Sequence, residues 1–92
     1  MFAIAFDMEI AAIRKNYKKH PSAAYAEIER TLSKYGFERI QESTYAAKTD
    51  DMSNLFSAIS ALRDLVWFGP SVKNIRAFRM ENGSDFTAIV KR

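Results

Sequence analysis

Ninety-two residues, 48% of them apolar and 13% aromatic, suffice for one small domain spanning 1–92 and leave no room for a second. The absence of cysteine excludes disulfides, cysteine-ligated zinc and thiol nucleophiles. No apolar run has the length of a membrane span and the opening lacks a secretory signal's basic start, so a soluble, cytoplasmic chain with no membrane partner is expected. Fourteen Lys and Arg against eleven Asp and Glu give a net charge of +3, and the pI of about 9.3 is compatible with a polyanionic partner.

Phe2-Ala3-Ile4-Ala5-Phe6-Asp7-Met8 alternates large apolar residues with small ones and an acid, the period of a strand with one face in a core. Phe2, Ile4, Phe6 and Met8 are expected to face helices, leaving Ala3, Ala5 and Asp7 on a smooth second face. Residues 9–20 are ambiguous. Ile10, Ile13 and Tyr17 have helical spacing, but the crowd of Arg14, Lys15, Lys18, Lys19 and His20 also suits a long loop or a continued strand. Pro21 fits the first turn of a helix, Ala24, Ile28, Leu32 and Tyr35 share one face, and Gly36 supplies a stop, so a helix over about 21–35 is predicted.

From Phe37 to Lys48 the pattern is strand-like, and the polar Gln41-Glu42-Ser43 step divides it into a hairpin of two short strands. Asp50 or Asp51 can cap a second helix, in which Met52, Leu55, Phe56, Ile59, Leu62 and Val66 recur every three or four residues before Gly69-Pro70 ends it. Val72 to Glu81 reads as a fourth strand. After Asn82-Gly83, Ser84 is placed to cap a short last helix carrying Phe86, Ile89 and Val90, and a fifth strand fits those residues equally.

The order β, α, β, β, α, β is that of the ferredoxin-like α+β fold. A four-stranded antiparallel sheet carries two helices on one face, here with a short C-terminal element added. The uncovered face, with Ala3 and Ala5, is a natural meeting place for two subunits, and it would bring two copies of Asp7 together near a two-fold axis. Two carboxylates so placed repel unless Mg²⁺ or a shared proton bridges them, which makes Asp7 a candidate cation ligand and a candidate catalytic group.

Other candidates are weaker. Lys73, Arg76, Lys15 and Lys18 are the basic side chains that would neutralise phosphate, and Lys73, Arg76 and Arg79 cannot all share one strand face. Ser43 and Thr44 fall in the hairpin, where hydroxyls contact phosphate or complete a turn. His20, the sole histidine, reads as a residue leading into the first helix, and Trp67-Phe68 as core at the end of the second. Phosphate-cradling glycine loops, the two-histidine zinc helix and the serine nucleophile elbow are missing.

The segments Met1–Asp7, Tyr35-Gly36-Phe37, Gln41–Tyr45, Ser71–Arg79 and Ser84–Thr87 together resemble the bacterial virulence-associated protein D family along nearly the whole chain. That resemblance implies an endoribonuclease with a ferredoxin-like fold, related to the small CRISPR-associated nucleases, acting on RNA as a homodimer. It also implies the toxin role of a toxin–antitoxin pair, with a small antitoxin protein as partner. On the same ground Asp7 matches the family's strand-one acid and Ser43 the serine of its hairpin, both expected to be catalytic. Two positions depart from the family: Glu42 stands where its hairpin has glycine, and Asn74 where its strand-four motif has aspartate.

Overall fold

The computed structural model describes residues 1–81 and 85–91. Its elements run β1 (Phe2–Met8), α1 (Ile10–Asn16), α2 (Pro21–Ser33), β2 (Glu38–Gln41), β3 (Thr44–Ala47), α3 (Met52–Asp64), α4 (Phe68–Ser71), β4 (Val72–Arg79) and α5 (Thr87–Val90). The four strands form one sheet in the order β2-β3-β1-β4, with every neighbouring pair antiparallel. This is the expected ferredoxin-like arrangement, with two one-to-two-turn helices, α1 and α4, added beside the long ones.

Alternation along β1 puts Phe2, Ile4 and Phe6 on the helix side, but the expected bare second face is only partly open: Ala3 is fully buried outside that cluster, Ala5 is half-buried and only Asp7 is exposed. Phe2, Ile4 and Phe6 are buried with Ile13, Ala24, Ile28, Leu32, Phe37, Tyr45, Leu55, Ala58, Leu62, Trp67 and Phe68 in one cluster, whereas Asp7 is exposed. Phe6 stacks on Tyr45 at 5.9 Å between ring centroids and meets Phe68 edge-on at 6.0 Å. Each such large side chain removed from water stabilises the fold by roughly 1.5–3 kcal/mol, which is why α2 and α3 pack on this face.

The ambiguous stretch resolves into helix α1, held by the single buried residue Ile13. At α2 the His20 ring accepts a hydrogen bond from the Ser22 N–H, and Pro21 occupies the first turn. The helix ends two residues earlier than its apolar face suggested, and Gly36 then takes a left-handed φ of 79°. Asp51, not Asp50, caps α3 through bonds from the Ser53 and Asn54 N–H groups.

The second predicted helix is too long. α3 stops at Asp64, Val66 beyond it is 90% exposed, and Gly69-Pro70 lie inside α4 rather than ending α3. Proline needs no N–H partner in a first turn, so a fresh short helix accommodates it. Phe56 and Met52, at helical spacing with the buried residues, instead lie on the outer side of α3. Phe86, Ile89 and Val90 are exposed and do form a helical turn, α5, whereas the proposed cap at Ser84 lies outside the described residues.

Candidate nuclease site at the C-terminal end of strand 1

Strand direction decides which parts of the chain meet. β1 and β2 both run antiparallel to β3 and hence parallel to each other, so their C-terminal ends lie together. β4 is antiparallel to β1, which brings its first residues to that same end. α2 leads into the start of β2, so its N-terminus and the basic loop before it, with Lys18, Lys19 and His20, also belong to this end of the molecule.

Asp7 is the last regularly paired residue of β1. It sits directly across from Asn74 on β4, and Ala5, two residues back on the same face, sits across from Arg76. The Asp7 carboxylate is exposed and has no hydrogen-bond or ion-pair partner among the described residues. On the other side of β1 the Phe6 N–H donates to the Ser43 carbonyl at 3.0 Å, which places the hairpin residues Glu42 and Ser43 one step from Asp7.

A bulge follows. Asp7 pairs with Asn74 but Met8 pairs with Val72, leaving Lys73 as the extra, unpaired residue. Bulges bend a strand and re-aim side chains. Here the bulge breaks the alternation that made Lys73, Arg76 and Arg79 hard to sort. Arg76 shares the uncovered face with Asp7, Arg79 lies over the Phe2 ring at 4.8 Å, and Lys73 projects from the irregular rung beside Asp7. The Glu9 N–H donates to the Ser71 carbonyl at 2.9 Å and ties the start of α1 to the start of β4.

Lys15 in the last turn of α1 and Lys18 in the following loop are exposed and make no bond to Asp7, Ser43, Lys73 or Arg76. They belong to the same end of the molecule without joining the Asp7 constellation. Their loop is braced by Glu27 on α2, whose two carboxylate oxygens accept from the Tyr17 hydroxyl at 3.0 Å and the Trp67 indole N–H at 3.2 Å. Tyr17 and Trp67 also meet edge to face at 4.8 Å. Burial, reinforced by the bond to Glu27, pushes the Tyr17 phenol above its ordinary pKa.

One side chain that the sequence did not single out belongs to this end as well. Tyr25, early in α2 and packed against the core, has its phenol pKa raised by burial and then by the Glu42 and Asp7 carboxylates. Helical periodicity gave no sign of it, because Tyr25 sits beside Ala24 on the flank of the buried stripe rather than within it.

An exposed acid flanked by a guanidinium, an ammonium and a serine hairpin suits proton removal next to a bound phosphate. No protein-family model matches the chain. Its curated relatives, however, match from end to end. The chain is 54% identical over 91 residues to a Neisseria gonorrhoeae protein named endoribonuclease VapD homolog, with 99% of both chains covered. It is 47% identical to the endoribonuclease VapD of Dichelobacter nodosus, covering 99% of this chain and 98% of that one. The chain belongs to the VapD family. Likeness to the Haemophilus influenzae endoribonuclease VapD, 43% over 99% of each chain, agrees, and the VapD membership reached from motifs is thereby established.

Proposed function

We propose that this chain is an endoribonuclease that cuts RNA phosphodiester bonds at the C-terminal end of β1. The observation that carries the reading is the end-to-end match to proteins named endoribonuclease VapD, at up to 54% identity. The exposed Asp7 carboxylate, without a partner among the described residues and beside Arg76 and Lys73 on the β1–β4 ladder, supplies a place for the chemistry. Asp7 takes the proton of the attacking oxygen, which belongs to the ribose 2′-OH or to water, as that oxygen bonds to phosphorus; the P–O bond to the leaving ribose oxygen breaks, and the leaving oxygen takes a proton from solvent. Arg76 and Lys73 hold the negative phosphate as charge builds on it, and Ser43 sits in the hairpin alongside.

The working unit is a homodimer joined through the uncovered sheet face. Its support is the small, half-buried Ala5 and Ala46 side chains there, the half-exposed Phe78, and the exposed Phe86, Ile89 and Val90 at and in α5. Among the described residues of one chain, no group of three or more Asp, Glu and His side chains could hold a metal. A Mg²⁺ ion fits only if an Asp7 from each subunit contributes to it, and the chemistry above is assigned to the side chains alone. A small antitoxin protein is the expected partner and the cytoplasm the expected location, both on the family resemblance; no helix among the described residues is long and apolar enough to cross a membrane.

The test is cleavage of a labelled single-stranded RNA and its DNA counterpart by wild type and Asp7→Asn, each with Mg²⁺ or EDTA, after sedimentation shows both proteins to be equally folded dimers. Cleavage of RNA by wild type alone supports the assignment, and the EDTA lanes decide the cation. Equal cleavage by both proteins removes Asp7 from the chemistry, and none by either removes the nuclease reading.

A further inference from the structure

We propose that Lys15, Lys18 and Lys19 form a second phosphate-binding subsite, which holds the RNA strand several nucleotides away from the bond that is cut. The inference rests on the RNA-cleavage reading and adds to it a preference for long single strands over short ones.

Charge in this part of the chain is one-sided. No acid stands between Glu9 and Glu27, whereas Arg14, Lys15, Lys18 and Lys19 all fall in that interval. Lys15 lies in the last turn of α1 and the other two lysines in the loop before α2. All three are exposed, and none forms an ion pair among the described residues. The two flanking acids leave them unneutralised. Glu27 has its carboxylate oxygens occupied by the Tyr17 hydroxyl and the Trp67 indole N–H, so it faces the fold. Glu9 precedes α1, about 9 Å of helix away from Lys15.

Packing fixes this loop to the reacting end of the sheet. Tyr17, which stands among the lysines, meets Trp67 at 4.8 Å between ring centroids; Trp67 meets Phe68 at 6.0 Å, and Phe68 meets Phe6 at 6.0 Å. Phe6 is the residue before Asp7. A continuous chain of rings therefore runs from the basic loop to the C-terminal end of β1, and a loop held beforehand loses little freedom when it takes a ligand. The lysines belong to the helical layer and Asp7 to the opposite sheet face, and packed layers stand about 10 Å apart. A single nucleotide at Asp7 falls short of the lysines. A strand that turns round the end of the sheet reaches both, and positive tracks of this kind follow single strands along their backbone. Lysine, a mobile point charge, suits such contacts whatever the base sequence.

The test compares Lys15→Gln/Lys18→Gln/Lys19→Gln with Lys34→Gln/Lys48→Gln, whose exposed lysines lie toward the Phe2 end of the sheet. On a long single-stranded RNA the loop variant should show KM raised about tenfold, with kcat within about threefold of wild type and an unchanged Tm. Its advantage in kcat/KM for long RNA over a trinucleotide should shrink by the same factor, while the far-end variant keeps both values. Binding is followed in the Asp7→Asn background. There the slope of log K against log salt should become shallower by about 0.7 for each loop lysine that meets a phosphate. Unchanged KM and salt slope in the loop variant, or equal losses in the far-end variant, overturn the subsite while wild-type cleavage still stands. If wild type leaves RNA intact but the salt slope responds to the loop lysines alone, the nuclease reading fails and the subsite remains as an RNA-binding surface.

Discussion

The two ends of the β1–β4 ladder treat their charges in opposite ways. At the Phe2 end, Asp50 is bonded to the amino-terminal ammonium at 2.9 Å and lies 3.7 Å from the Arg79 guanidinium, which also covers the Phe2 ring. At the other end Asp7 has neither a hydrogen bond nor an ion pair among the described residues, although Lys73 and Arg76 are close by along β4. One end closes its charges into a network, and the other leaves an acid and two cations separated and open to solvent. Charges held apart in this way remain available to a substrate that carries the complementary groups.

The largest effect that would break this contrast is on Asp7. Asp7→Asn should lower RNA cleavage by about 10²-fold or more while the circular dichroism spectrum and Tm hold, since the carboxylate supports nothing else in the fold. Equal activity would make the open end as structural as the closed one. Next comes the brace beside the open end. Glu27→Ala leaves the Tyr17 hydroxyl and Trp67 indole N–H without their acceptor and should cost about 1–3 kcal/mol in urea unfolding.

A smaller change is expected at Arg76. Arg76→Gln should weaken single-stranded RNA binding and make the slope of log K against log salt shallower by about 0.7, as measured by titration at several ionic strengths. The smallest belongs to the closed end, where Asp50→Asn should leave cleavage intact. The bond from the amino terminus holds the Asp50 carboxyl below its ordinary pKa of 3.8. Its stabilisation is therefore present above that value and fades as pH falls below it. Wild type and Asp50→Asn should differ slightly in Tm at neutral pH and converge in acid, the exposed pair contributing little throughout.

How far the sequence was readable depended on whether neighbouring signals agreed. Along β1 the period of two, the β-favouring residues and the acid at the end all gave one answer, and α2 had both a proline start and a glycine stop. In residues 9–20 one buried residue, Ile13, competed with a crowd of charges, so local pattern was divided and tertiary packing decided. For α3 the apolar repeat ran on past its true end, because Val66 matches the helical period yet faces water. Asp7, Ser43 and the β4 cations could be named from residue type. Their grouping could not, because it depends on strand direction and on a bulge at Lys73 that no spacing rule announces.

The bulges on the two outer strands reach beyond the site. β2 has its extra residue at Ile40 and β4 at Lys73, so neither edge of the sheet offers a flat, regular row of backbone groups. Exposed sheet edges are templates for uncontrolled growth, and irregular rungs with Lys or Arg side chains are the ordinary defence against it. On β4, the exposed Lys73, Arg76 and Arg79 add charge to that edge. Removing all three charges at once would leave an edge ready to recruit other copies, so a triple variant made to probe RNA binding should also be measured for self-association.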